Sequence, residues 1–150
     1  MNYEVYSGIK ANDDLSVFKF ISIGPKGEIQ KGVAFLPSEN PTVFYLALAD
    51  LIGEDAVPDD EVISNNGDRN KVLATVAQIT ITYTKAYPQR WIYFRGSTAA
   101  RTRLYRMAIH LNLDELSSHF DIFGVLESGE SVRFKPGQHY HGFLVRRKKQ

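Results

Sequence analysis

The feature that most constrains this chain is an alternation that stops and restarts near its beginning. Over residues 17–23, Phe18, Phe20 and Ser22 alternate with Val17, Lys19, Ile21 and Ile23. Gly24-Pro25-Lys26-Gly27 then breaks the run, and residues 28–36 resume a β pattern. Period-two alternation sends successive side chains to opposite faces of a sheet, and a break rich in Gly and Pro between two such runs is the turn of a hairpin. Residues 3–6 are expected to add a short strand before this hairpin and residues 43–49 another after it. The first third of the chain is therefore an antiparallel sheet.

Residues 50–68 change character. They carry Asp50, Glu54, Asp55, Asp59, Asp60, Glu61 and Asp68, no Lys or Arg, and the turn-forming run Ser64-Asn65-Asn66-Gly67-Asp68. This is the composition of an acidic, flexible connection. Asp68 then suits the N-cap of a helix over residues 69–83, whose apolar positions Val72, Leu73, Val76, Ile79 and Tyr83 recur at helical spacing. Thr80, Ile81 and Thr82 weaken its last turns. Pro88 closes the element, and residues 90–95, Arg-Trp-Ile-Tyr-Phe-Arg, form a strand ended by Gly96. Ser97 or Thr98 caps a second helix with Ala100, Leu104, Met107 and Leu111 as its apolar stripe. Three short strands follow over residues 120–126, 131–134 and 140–145, and residues 146–150 make a basic tail. Strands first, then helices alternating with strands, predict an α+β fold: a mostly antiparallel sheet with two main helices packed on one face.

The 150 residues match one ordinary domain, residues 1–150, with neither a repeat nor a break in composition. A hydrophobic fraction of 43% against 23% charged excludes a wholly disordered chain. Without cysteine there is no disulfide framework, no thiolate nucleophile and no cysteine-based metal site. The first residues contain Glu4 and no apolar run of the kind a secretory signal needs, and the longest near-apolar run, residues 43–52, is too short to span a bilayer. The expectation is a cytoplasmic protein that does not enter a membrane. A formal net charge of +1 carries no global preference for nucleic acid, so any such preference must come from a local patch.

One such patch is the start of the second helix. Arg95, Gly96, Ser97, Thr98, Arg101 and Arg103, with Arg106 beyond, bring a glycine, two hydroxyls and four arginines to one strand–turn–helix junction. The first turn of a helix presents unpaired N–H groups and partial positive charge, so a phosphate there meets backbone donors, hydroxyls and guanidinium forks together. At about 100° per residue, Arg103, Arg106 and His110 share one polar face while Arg101 lies with Tyr105 and Asn112 on the other side of the stripe. The competing reading makes Thr98 or Ser97 a simple cap, Gly96 a simple turn, and the arginines partners of the acidic run.

Other constellations are weaker. Counting back from Gly67, a calcium loop would need Val62 and Ser64 as its first and third ligands, so the spacing fails. His139 and His141, two apart on a strand, would face the same way and could share a metal, but no third ligand is identifiable and none of His110 or His119 can be placed beside them. No metal and no cofactor is predicted. No nucleophile elbow, zinc-protease pair, dinucleotide fingerprint or phosphate loop occurs, so enzyme status has no motif behind it. Trp91 and Tyr93 face one side of their strand and Ile92 and Phe94 the other, so at most one pair is open to stack on bases.

Three stretches resemble a known family when taken together: Ser64-Asn65-Asn66-Gly67-Asp68 with residues 72–76, Gly96-Ser97-Thr98 with residues 100–105, and the closing residues 140–147, Tyr-His-Gly-Phe-Leu-Val-Arg-Arg. They are similar to a family of small uncharacterised bacterial proteins, a domain of unknown function. The resemblance implies a bacterial cytoplasmic single-domain protein and carries no activity with it. The order of elements is also similar, at the level of fold alone, to single-stranded nucleic-acid binders such as the Whirly group.

The sequence thus predicts a binding module that recognises a phosphate-bearing ligand or single-stranded nucleic acid through Arg95, Ser97, Thr98, Arg101 and Arg103. One alternative is an enzyme on a nucleotide or phosphate-containing substrate, with Asp60 or Asp68 as base or metal ligand. The other is a protein-interaction element or homo-oligomer.

Overall fold

The alternation of residues 17–23 becomes the second strand of an eight-stranded sheet. The computed structural model describes residues 3–51, 65–96 and 98–149. Its strands are β1 (Lys10–Ala11), β2 (Val17–Gly24), β3 (Gly27–Pro37), β4 (Val43–Asp50), β5 (Trp91–Phe94), β6 (Phe120–Val125), β7 (Ser131–Arg133) and β8 (Gly142–Arg147). Its helices are α1 (Arg69–Ala86), α2 (Ala99–Leu111) and α3 (Leu113–His119). The spatial order is β1-β2-β3-β4-β5-β8-β6-β7, antiparallel except for the parallel pair β4 and β5 that α1 connects. The fold is α+β. The acidic connection falls largely on residues 52–64, outside the described residues.

Phe18, Phe20 and Ser22 point under the helices, as their alternation predicts, while Ile21 and Ile23 face outward. The Phe35 ring lies flat against Tyr83 of α1, with centroids 3.8 Å apart. Each such apolar side chain removed from water contributes about 1.5–3 kcal/mol, and sheet-to-helix contacts of this kind hold the layers together. Asp50 continues β4 and makes a buried ion pair with Lys31 at 2.6 Å.

The threonines do not shorten α1. Thr75, Thr80, Thr82 and Thr84 each donate their hydroxyl to the carbonyl four residues earlier, so buried β-branched residues carry no unpaired polar group through the helix.

Four expectations need correction. Residues 3–6 form no strand: Tyr6 stacks on Phe20 and its amide donates to Thr75 Oγ1 of α1, so this segment crosses the helix layer, and the edge strand is Lys10–Ala11 instead. In α2 the buried side chains are Tyr105, Ala108 and Ile109, whereas Ala100 is exposed and Leu104, Met107 and Leu111 are half-buried. Tyr105 turns the helix, because its large ring meets Phe94 edge-on at 5.4 Å and an aliphatic wheel leaves it out. The basic tail begins later than residue 146. Arg146 and Arg147 belong to β8, and Arg147 donates to the Ile81 carbonyl at 2.6 Å, its burial lowering its pKa. His139 and His141 precede β8 and so lie on a connection, not on a strand. The sequence reading also omitted α3, whose Asp114 and Glu115 suit the positive end of a helix.

Candidate anion-binding site

The junction between β5 and α2 is shaped by a close approach. A Cβ on Gly96 would lie 2.2 Å from Arg101 Cβ and 2.5 Å from the Thr102 nitrogen, so only glycine lets the strand end tuck beneath the first turn of α2. The Gly96 N–H donates to Thr102 Oγ1 at 3.0 Å, and that hydroxyl also reaches the Thr98 carbonyl at 3.1 Å. Thr98 is the N-cap: its side-chain oxygen accepts from the Arg101 amide at 3.2 Å. Gly96 therefore supplies a geometry rather than a free donor. Ser97 lies outside the described residues.

The start of α2 opens on a cleft of about 790 Å³ lined by Arg95, Thr98, Ala99, Arg103, Arg106, Glu127, His139 and His141 among others. Antiparallel pairing of Phe94 with Phe143 brings the residues after β5 beside those before β8, and this places both histidines against the arginines. Arg95 hydrogen-bonds His141 Nε2, while Arg106 lies 3.3 Å from the Gln138 carbonyl and 3.4 Å from His139 Nδ1. A guanidinium has only donors, so the histidine nitrogens accept in these contacts and hold the arginines in place. Among the described residues no ion pair involves Arg95, Arg103 or Arg106. Three cations, Arg95 and Arg106 held by these contacts and Arg103 exposed, line the cleft with one exposed carboxylate, Glu127.

Arg101 does not line this cleft; it is half-buried on the side of α2 that carries Tyr105. The charged and histidine residues of the cleft absent from the predicted set are Arg106, Glu127, His139 and His141. A helical wheel puts Arg106 beside Arg103, but nothing in the spacing of the histidines shows what they face.

Asp68 is placed differently. It accepts hydrogen bonds from the Tyr6 hydroxyl and from Ser22 Oγ, the latter at 2.5 Å, and makes no side-chain cap to α1. Burial, with the Asp68 carboxylate next in effect, raises the pKa of Tyr6. Asn66 fastens the same corner: it accepts from the Lys26 amide at 2.8 Å and donates to the Gly27 carbonyl at 2.9 Å. Asp60 lies outside the described residues. No group of three His, Asp or Glu side chains suited to a metal occurs among the described residues. A void of about 40 Å³ between the helices and the sheet is lined by apolar groups such as Val76 and Phe94, and it offers a ligand no polar anchor. No described helix is long and apolar enough to cross a membrane.

Residues 2–148 match a family described as a family of unknown function (DUF6934), and the chain belongs to it. No curated protein and no solved structure matches the chain.

Proposed function

We propose that this protein is a binding module that takes a phosphate-bearing ligand, a free nucleotide or a single strand, in the cleft at the start of α2. The observation that carries the reading is the convergence of Arg95, Arg103 and Arg106 on one cleft with no acid partner among the described residues. Guanidinium groups held close together repel one another, and a bound phosphate relieves that repulsion while accepting their forked N–H donors. Thr98 and the first-turn amides of Ala99 and Ala100 extend the donor set, and His139 and His141 keep Arg106 and Arg95 in position.

The test is binding of labelled inorganic polyphosphate followed by anisotropy across a salt series. Arg103→Ala/Arg106→Ala is expected to weaken binding by roughly a hundredfold and to make the salt dependence shallower, with the fold intact by circular dichroism. Salt-insensitive binding, or an unchanged double variant, would sink the reading. The catalytic alternative has Glu127 as its carboxylate in the cleft, since Asp68 is committed to Tyr6 and Ser22. It requires turnover that Glu127→Gln abolishes, whereas the binding reading expects Glu127→Gln to bind polyphosphate a few-fold more tightly, about 1 kcal/mol at most, by removing one repelling charge.

A protein-interaction role draws on a different observation. Ile21 and Ile23 are 46% and 61% exposed on the outer sheet face, an apolar surface that a second copy or a partner would cover.

A further inference from the structure

The sheet face turned away from the helices carries a row of rings that leads into the anion cleft. The register sets Tyr45 beside Tyr93, Tyr93 beside Leu144 and Leu144 beside Phe123, so one line of side chains crosses β4, β5, β8 and β6. Tyr45 and Tyr93 meet edge-on at 5.6 Å, and Trp91 lies 5.8 Å from Phe123. Arg146 sits 4.4 Å above the Trp91 ring and Arg133 sits 5.1 Å from Phe123. Tyr45 is 46% exposed and the other three rings are half-buried, with no described element packed over them.

A groove of about 960 Å³ runs over Tyr45, Tyr93 and Leu144, and it shares Arg95, Gly96, Glu127 and His141 with the cleft. Gly142 makes this path smooth. A Cβ there would lie 2.3 Å from the Tyr93 hydroxyl, so the absence of a side chain lets Tyr93 lie across β8 toward Arg95.

Resting on the reading of the cleft as a phosphate site, we propose that the ligand is single-stranded nucleic acid, with one phosphate at Arg95, Arg103 and Arg106 and the adjoining bases on Tyr93 and Tyr45, while Trp91, capped by Arg146, stands next to Tyr93 on the same face. A single strand offers both a charged backbone and exposed base faces, and rings flanked by guanidinium groups bind those faces whatever the base. A duplex hides its base faces in the stack. Rings and charge together place the track on β4, β5, β8 and β6: Arg95 and Arg146 lie there beside the aromatic row, whereas the end at Ile21 and Ile23 has Lys19 and Lys10 but no ring on which a base could stack. Glu39 and Glu127 border the groove and Asp121 neutralises Arg133 at 3.4 Å, so Arg95 and Arg146 are the cations that steer the strand.

Trp91 is the only tryptophan in the chain, so its fluorescence reports on this face. The experiment titrates the whole protein with an oligothymidylate, with an abasic oligomer of the same length, and with a blunt duplex. The oligothymidylate is expected to quench Trp91 and to bind roughly tenfold or more tightly than the abasic oligomer. Tyr45→Ala, at an exposed position, is expected to lose roughly tenfold for oligothymidylate and nothing for the abasic oligomer. Equal affinity for the two oligomers with Trp91 unquenched overturns this proposal and leaves the anion cleft standing. Binding of neither oligomer overturns this proposal, and the polyphosphate titration then decides the anion cleft by itself. A duplex that binds as tightly as the oligothymidylate overturns the single-strand assignment.

Discussion

The N-termini of α1 and α2 present the same physical opportunity and the protein treats them oppositely. Neither first turn carries an acidic side chain, so each would bind an anion by its exposed amides and partial charge. At α1 the carboxylate of Asp68 is turned to Tyr6 and Ser22 from two other segments and caps no amide, and the helix start opens on a cleft of about 390 Å³ that Asp68 lines with Arg69 and Lys71. At α2 the cap is neutral Thr98, and the approach is ringed by Arg95, Arg103 and Arg106 instead. One helix start carries a carboxylate that is tied into a corner of the fold; the other has a neutral cap and three arginines around it. The proposed anion site is the helix start at which the cap itself brings no negative charge.

That contrast can be broken from either side. The largest effect is expected at α1: Asp68→Ala takes the acceptor from the Ser22 hydroxyl and leaves the Tyr6 hydroxyl only the longer bond to the Ile23 carbonyl, and should cost about 3 kcal/mol in urea unfolding, with polyphosphate binding unchanged in the folded protein. Retention of full stability would show that Asp68 does not hold that corner. Gly96→Ala acts on the other terminus, where the new Cβ would collide with the backbone of α2; about 2 kcal/mol of destabilisation is expected, together with weaker polyphosphate binding. If stability falls and binding does not, the junction and the anion site are separate. The smallest effect separates the termini by pH. Burial raises the folded-state pKa of Tyr6, so the stability from its neutral phenol is present below the ordinary tyrosine pKa of about 10 and is lost as pH rises through the higher folded value. Alkaline unfolding followed by circular dichroism should therefore begin above about pH 10 and be shallower in Tyr6→Phe. Tyr83 and Tyr93, whose pKa values burial also raises, add to that slope.

Much of this fold was legible along the chain. The hairpin of β2 and β3 follows from Phe18, Phe20 and Ser22 alternating up to Gly24, because a two-residue period leaves few other structures open. The first helix follows from Val72, Leu73, Val76, Ile79 and Tyr83, all of them buried. Arg95, Thr98 and Arg103 were legible because a helix start is a local event: the cap, the amides and the arginines lie within a few residues of one another. Tyr6 was misjudged because four residues of β-like composition do not say whether a segment adds to a sheet or crosses a helix layer, and its partner Thr75 lies 69 residues away.

The sequence by itself determined the alternating faces of the strands, the start of each of the two main helices and the cluster of arginines at the second, since each depends on neighbours a few residues apart. The tertiary structure alone decided that β8 returns between β5 and β6, that His139 and His141 therefore stand against Arg106 and Arg95, and that Tyr45, Tyr93 and Trp91 share one open face. Those outcomes depend on which strands pair and in what register, and pairing is settled by burial summed over the whole sheet rather than by any local stretch of residues.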